Sequence, residues 1–140
     1  MNISNRRLLA IAALAAVLLL SAAIAASASA PLKITNCNSA VSRPKLLTLT
    51  CADANTVLKG LRWSSFGGKS ARANGTFVMN TCEPDCAAGK DVSYPVIAKA
   101  SEARSCKKGI RVYNKLTLIF TGKAPKRSAS LEHWTLGCPI

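Results

Sequence analysis

The residues best suited to chemistry lie in a segment that reads TCEPDCAAG, in which Cys82 and Cys86 enclose two acids and a proline. Such a pair could bind a metal ion, exchange thiols, present an inhibitory loop or form a small disulfide staple. A zinc-type site needs further thiolate or imidazole ligands, and the only histidine is His133. Thiol oxidoreductases use C-x-x-C in a βαβ setting, whereas here the spacing is wider and the flanks are strand-like. We therefore interpret the pair as a structural staple.

All six cysteines lie downstream of residue 28, and an even number in a small exported chain predicts a disulfide framework. Sequence alone leaves many pairings open. The set that we favour joins cysteines that follow one another along the chain: Cys37 with Cys51, Cys82 with Cys86, and Cys106 with Cys138. If every sulfur is consumed in this way, we expect neither a metal ion nor a cofactor.

Other catalytic arrangements are weak. His133 is expected on the outward side of a short strand, and no G-x-S-x-G or H-E-x-x-H motif is present. Glu83 and Asp85 could form an acid pair, but their position in one small ring is more typical of a solvated loop. We therefore predict that the protein is not an enzyme and has no catalytic residues.

Four aromatic residues could line a sugar or peptide site: Trp63, Phe66, Tyr94 and Tyr113. The alternative is that Trp63 belongs to the core, since it shares its strand parity with Leu61. That alternation favours the core position.

The N-terminus predicts export. MNISNRR is followed by LLAIAALAAVLLL and SAAIAASASA, the charged, apolar and small-residue order of a secretory signal. We predict a signal peptide over residues 1–28 and a single secreted β-domain over residues 29–140, with the protein outside the cell or attached to its envelope. An uncut anchor over residues 8–26 is the alternative, because that segment is nearly long enough to cross a bilayer.

The predicted exported chain is strongly basic. Removing Arg6 and Arg7 from the 19 basic residues leaves 17 against 6 acidic ones, a net charge of +11. Such a charge attracts anionic envelope polymers and membrane surfaces, although simple solvation is the alternative. No aromatic residues are interleaved as in a single-stranded nucleic-acid platform, so no specific nucleic-acid partner is expected. The candidate binding surface consists of two local clusters: Lys107, Lys108, Arg111, Lys123, Lys126 and Arg127.

Apolar residues alternate with polar ones throughout the exported part, the period of half-buried strands. In GIRVYNKLTLIFTG, Val112 and Leu116 share one face and Tyr113 the other, with a bulge expected near Asn114. Asn74 and Gly75 predict a tight turn. Pro95 predicts an edge strand or a break. About seven short strands separated by turns predict an all-β, monomeric, disulfide-stapled antiparallel sandwich of immunoglobulin-like architecture.

Helical patterns are hard to find in this part of the sequence. Only ADANTVLKG could hold a helical turn, and Asp53 is its candidate cap.

Several motifs carry a resemblance to known proteins. LTLTCADAN, WSSFGG, NGTF, TCEPDCAAG and SYPV together resemble small secreted actinobacterial proteins of no established activity. The resemblance covers roughly residues 43–96, about half of the exported chain, and it implies no catalytic residues.

A second likeness is to the secreted subtilisin-inhibitor type, which also has LTC near its start and a cysteine before an exposed loop. It implies an alternative function, a secreted serine protease inhibitor that presents the loop between Cys82 and Cys86 to a secreted protease. The position of Cys86 inside that loop departs from the inhibitor pattern, as does the missing helix pattern.

Overall fold

The computed structural model describes residues 29–140, so the signal peptide predicted over residues 1–28 lies outside the described residues. Strands dominate the described chain, and the all-β prediction is confirmed. A 3₁₀ turn at Lys107–Gly109 precedes the seventh strand, and a short helix, α1 (Ser128–Leu131), precedes the eighth. The strands are β1 (Leu32–Asn36), β2 (Ser39–Val41), β3 (Leu46–Thr48), β4 (Thr56–Ser65), β5 (Ser70–Asn80), β6 (Asp91–Ser105), β7 (Arg111–Phe120) and β8 (His133–Thr135).

These strands form one curled, mixed sheet in the order β2-β1-β7-β6-β5-β4-β3, with β8 also paired to β7. Neighbours are antiparallel except β1 and β7, which run parallel. The four central strands are 10 to 15 residues long. Because long strands twist with a fixed hand, such a sheet coils. Here it curls into a half-barrel whose concave side holds the core.

The predicted immunoglobulin-like sandwich is not confirmed, since a sandwich consists of two sheets packed face to face. In the described residues one continuous path of hydrogen-bonded neighbours joins β1 through β7, and β8 pairs with β7 beside that path. Alternating apolar residues indicate which face of a strand is buried, and this pattern is the same for two stacked sheets and for one sheet that folds over itself.

The concave face combines small and large side chains. Ala73 lies opposite Ala98, and Ala71 lies opposite Ala100, so the middle of the β5–β6 pair leaves room for the sheet to curl. Larger side chains fill the space on either side. All are buried: Leu32, Ile34, Leu47, Leu58, Leu61, Phe77, Val96, Tyr113, Leu116, Leu118 and Leu136.

Strand β1, next to one end of the sheet path, is tied near Asn36 to β3 at the other end. The side-chain Oδ1 of Asn36 accepts a hydrogen bond from the backbone N–H of Thr48 at 3.0 Å, and its Nδ2 donates to the carbonyl of Leu46 at 3.3 Å. The neighbouring disulfide between Cys37 and Cys51 makes the same connection covalently. An amide and a disulfide therefore link β1 to the β3 region, where the ladder itself is absent.

Strand β7 changes its facing at Asn114. The ladder with β6 skips one residue pair, Glu102 and Asn114, and Glu102 adopts a left-handed backbone with φ of 61°. The irregularity expected near Asn114 is therefore present. It turns Tyr113 inward with Leu116. The predicted outward position of Tyr113 is wrong because the alternation of faces reverses at Asn114, whereas the prediction continued it unchanged along the strand.

Pro95 lies in a central strand, so its predicted place at an edge or break is wrong. Its carbonyl accepts from the N–H of Thr121 at 3.1 Å, just beyond the end of β7 at Phe120. The N and O atoms of one strand residue point toward the same neighbour. The missing N–H of Pro95 therefore faces Thr121 at the very end of this ladder, so the proline costs only the last hydrogen bond between β6 and β7.

The predicted tight turn at Asn74 and Gly75 is also wrong, because both residues lie inside β5. A bulge in β4 at Gly60, whose φ is 63°, faces them. A Cβ on Gly75 would lie 2.8 Å from Cδ2 of Leu61 and 3.1 Å from the carbonyl of Lys59. The glycine thus permits close strand contact rather than a chain reversal.

The possible helical turn in ADANTVLKG is replaced by a turn followed by β4. Asp53 accepts a hydrogen bond from the N–H of Asn55 at 3.1 Å, as in a local Asx turn. This hydrogen bond is the main cause that lowers the pKa of Asp53. The short helix α1 was not predicted.

Candidate functional site

The structure pairs the cysteines in the set favoured from sequence: Cys37 with Cys51, Cys82 with Cys86, and Cys106 with Cys138. Residues 29–140 contain no free cysteine and no group of three His, Cys, Asp or Glu side chains placed to hold a metal ion. Three disulfides are consistent with a secreted or extracellular protein. Within the same residues, no helix is both long and apolar enough to cross a bilayer.

The ring closed by Cys82 and Cys86 is a compact turn. The two Cα atoms are 3.7 Å apart, whereas an extended chain of this length would span about 13 Å. Asp85 accepts from the backbone N–H groups of Ala87 and Ala88 at 2.9 and 2.8 Å. A protease cleft takes up an extended peptide, so this curled geometry favours a staple over an inhibitory loop.

His133 lies on β8, exposed, opposite Thr117 of β7. It lines a shallow depression of about 220 Å³ together with Lys115 and Glu102. The Glu102 carboxylate forms an ion pair with Lys115 at 3.4 Å. No hydrogen bond joins the imidazole to another side chain in the described residues, so the geometry does not assemble a nucleophile and base.

The four candidate aromatics do not converge on one site. Trp63, Phe66 and Tyr113 pack edge to face, whereas Tyr94 packs with Phe77 and Phe120 in a separate group.

The polar atoms of the first aromatic group are satisfied by backbone. The Trp63 indole N–H donates to the carbonyl of Pro44 at 2.8 Å. The Tyr113 hydroxyl donates to the carbonyl of Gly68 at 2.9 Å and accepts from the N–H of Gly67 at 2.8 Å. These contacts pack the three aromatic residues against the core, which supports the core interpretation of Trp63.

The two predicted basic clusters lie at opposite ends of β7. Lys107 and Lys108 form the 3₁₀ turn before it, and Arg111 begins it. Lys123, Lys126 and Arg127 follow its last residue. At about 3.3 Å per residue the strand separates the clusters by roughly 30 Å. The candidate binding surface is therefore two separate regions, not one.

A different set of cations is brought together by the sheet. Arg72 of β5 lies directly opposite Lys99 of β6, and Arg62 of β4 lies opposite Asn74, two residues along β5 from Arg72. Directly opposite Cβ atoms are about 5 Å apart. All these side chains are exposed on the convex face. We call Lys59, Arg62, Arg72 and Lys99 the outer basic patch.

No carboxylate neutralises this patch. The only ion pair in residues 29–140 is the one between Lys115 and Glu102. Like charges placed directly opposite in a sheet destabilise it, so the Arg72 and Lys99 pair favours an anion as an additional partner.

A groove of about 490 Å³ runs beside the patch on the convex face. Gly60, at the bulge in β4, and Gly75 of β5 both line this groove. Its walls offer hydroxyl, amide and apolar groups next to one guanidinium. Among the lining residues are Arg62, Asn74, Thr76, Pro95, Ile97 and Thr121.

Sequence reasoning missed the outer basic patch because its members are far apart along the chain. The outward parity of Arg62 was visible, but the register that sets Arg72 beside Lys99 depends on which strands pair. A basic residue at the outward parity of several consecutive strands is the signal that could have found it.

Comparisons of the chain with protein-family models, curated proteins and solved structures found no match.

Proposed function

We propose that the protein is a secreted, non-enzymatic module that attaches to a phosphate-bearing polymer of the cell envelope through the outer basic patch. The observation that carries the proposal is the direct cross-strand pairing of Arg72 with Lys99 without an acid nearby. The predicted signal peptide and the three disulfides support an extracellular location. The net charge of +11 would guide the protein to anionic surfaces.

A polymer fits this face better than a bilayer. The tryptophans and phenylalanines that anchor proteins at membrane interfaces pack against the core on the concave side. The groove beside Arg62 can receive a repeating unit that contains hydroxyl groups. Its neighbours Arg72 and Lys99 would then contact successive phosphates.

Binding of a fluorescent glycerol-phosphate polymer, measured by anisotropy over a salt series, tests the proposal. If four cations contact phosphates, the slope of log K against log salt should be about −3, because each contact releases counterions. The double variant Arg72→Ser, Lys99→Ser should lose binding and lower the magnitude of the slope by about 1 to 2.

The matched control is Lys123→Ser with Lys126→Ser, which removes the same charge at a cluster after β7. This control should bind like the unmodified protein. Equal losses in both double variants would overturn the assignment to the patch. Stronger binding to anionic vesicles than to the polymer would replace the polymer by a membrane surface.

A further inference from the structure

A second cavity lies at the end of the sheet opposite Lys123, Lys126 and Arg127. It has a volume of about 620 Å³ and is bounded by the turn between β1 and β2, the end of β6, the 3₁₀ turn and the segment after Cys138. The disulfide between Cys106 and Cys138 forms part of its wall. This volume lies within the range of small-molecule sites, roughly 300 to 1,000 Å³.

The rim of this cleft is cationic. Arg104, Lys107 and Lys108 line it and are exposed, and no acidic side chain lines it. Asn38 and Ser105 add hydrogen-bond donors. Two lysines consecutive in sequence and one arginine on the same rim match a group that carries more than one negative charge and several acceptor oxygens, such as a phosphate monoester.

The remaining walls are apolar. Ile110 and Pro139 are half-buried, and Ile140 is fully exposed. The three side chains lie in the same cleft as the lysines. An inorganic anion would leave this surface in water, whereas an anion with an attached hydrocarbon chain would cover it.

The lip of the cleft is held in place before any ligand arrives. The N–H of Cys106 donates to the carbonyl of Ile110 at 2.7 Å, and the disulfide fixes the same residue from the other side. Between them, Lys108 and Gly109 have φ angles of 59° and 71°. A preformed lip lowers the entropy lost on binding.

We propose that this cleft binds a phosphate monoester with a short alkyl chain, the phosphate lying between Lys107 and Lys108 and the chain on Ile110 and Ile140. The site is separate from the outer basic patch and does not depend on the polymer proposal. Either can fail while the other holds, because their variants share no residue.

Calorimetric titration with butyl, hexyl and octyl phosphate tests the proposal, with inorganic phosphate and hexanol as the two half-ligands. Hexyl phosphate should bind at least about tenfold more tightly than either half-ligand, since each buried methylene adds up to about fourfold. Equal affinity for hexyl phosphate and inorganic phosphate would overturn the claim that the alkyl chain lies on Ile110 and Ile140. Tight binding of hexanol alone would overturn the role of the lysines.

Variants locate the binding. The double variant Lys107→Ser, Lys108→Ser should weaken the binding of hexyl phosphate by about tenfold or more. Because both residues are exposed, the fold should be unaffected. Ile110→Ser should retain phosphate binding and lose the dependence on chain length. Lys123→Ser with Lys126→Ser removes equal charge and should change nothing. If this control loses as much affinity as the first variant, the effect is net charge and the site is refuted.

Discussion

Replacing Arg72 by glutamate should separate function from stability. Arg72 faces Lys99 directly across the β5–β6 ladder, and both side chains are exposed on the convex face. An opposite-charge pair at such a position contributes about 0.2 to 1 kcal/mol, and a like-charge pair opposes folding by a similar amount. After allowance for solvent screening, Arg72→Glu should stabilise the protein by about 0.5 to 1 kcal/mol. In a domain of this size that corresponds to a rise in Tm of about 2 to 6 °C.

The same substitution should weaken binding of the glycerol-phosphate polymer by about tenfold or more at physiological salt, because one phosphate contact is lost and a repulsive charge is added. Thermal unfolding and anisotropy on the same samples measure both effects. Lys90→Glu is the control, since it makes the same charge change in an exposed loop and should preserve polymer binding. A fall in Tm together with unchanged binding would refute the reasoning for the patch.

Three further predictions concern the fold. Tyr113→Phe should lower the free energy of unfolding by about 1 to 2 kcal/mol through two lost hydrogen bonds, and a denaturant midpoint that does not move contradicts this. Gly89→Ala should lower Tm, because the new Cβ would overlap the backbone of the neighbouring ring, whereas Gly137→Ala has open space and should be neutral. Replacing both Cys106 and Cys138 by serine should destabilise by about 3.5 to 4 kcal/mol, against about 2 for opening the ring, since their sequence separations are 32 and 4. Equal losses on chemical unfolding would show that loop length does not set the order.

The fold class could be predicted because the alternation of apolar residues survives in single strands. Leu61 is buried and Trp63 packs against the core, at the shared parity that their sequence indicates. The prediction fails where tertiary structure changes a local rule. Asn74 and Gly75 have the composition of a turn, yet a bulge on the facing strand requires a small residue there. Pro95 would interrupt an interior ladder only if the neighbouring strand continued opposite it. Strand β7 ends at Phe120, just before that position.

The candidate site was less accessible to sequence reasoning than the fold. Basic runs such as KKGIR (residues 107–111) and KAPKR (residues 123–127) can be recognised in the sequence because their members are consecutive. Proximity along the chain is nevertheless a poor guide to proximity on a sheet. Arg72 and Lys99 are separated by 26 intervening residues of sequence and lie side by side because β5 and β6 form a long antiparallel pair. Lys107 precedes strand β7 and Lys123 follows it, so the two residues lie at opposite ends of that strand.

The single curled sheet explains why charge and disulfides occur together in this protein. A half-barrel buries one face of its strands, so its core is thin for a domain of this length, and its convex face remains free for binding. Repulsion between Arg72 and Lys99 then reduces the stability that this modest core provides. Disulfides raise the free energy of the unfolded chain and do not depend on the charge of the surface. They therefore allow the convex face to keep an unneutralised patch that hydrophobic burial alone would support less well.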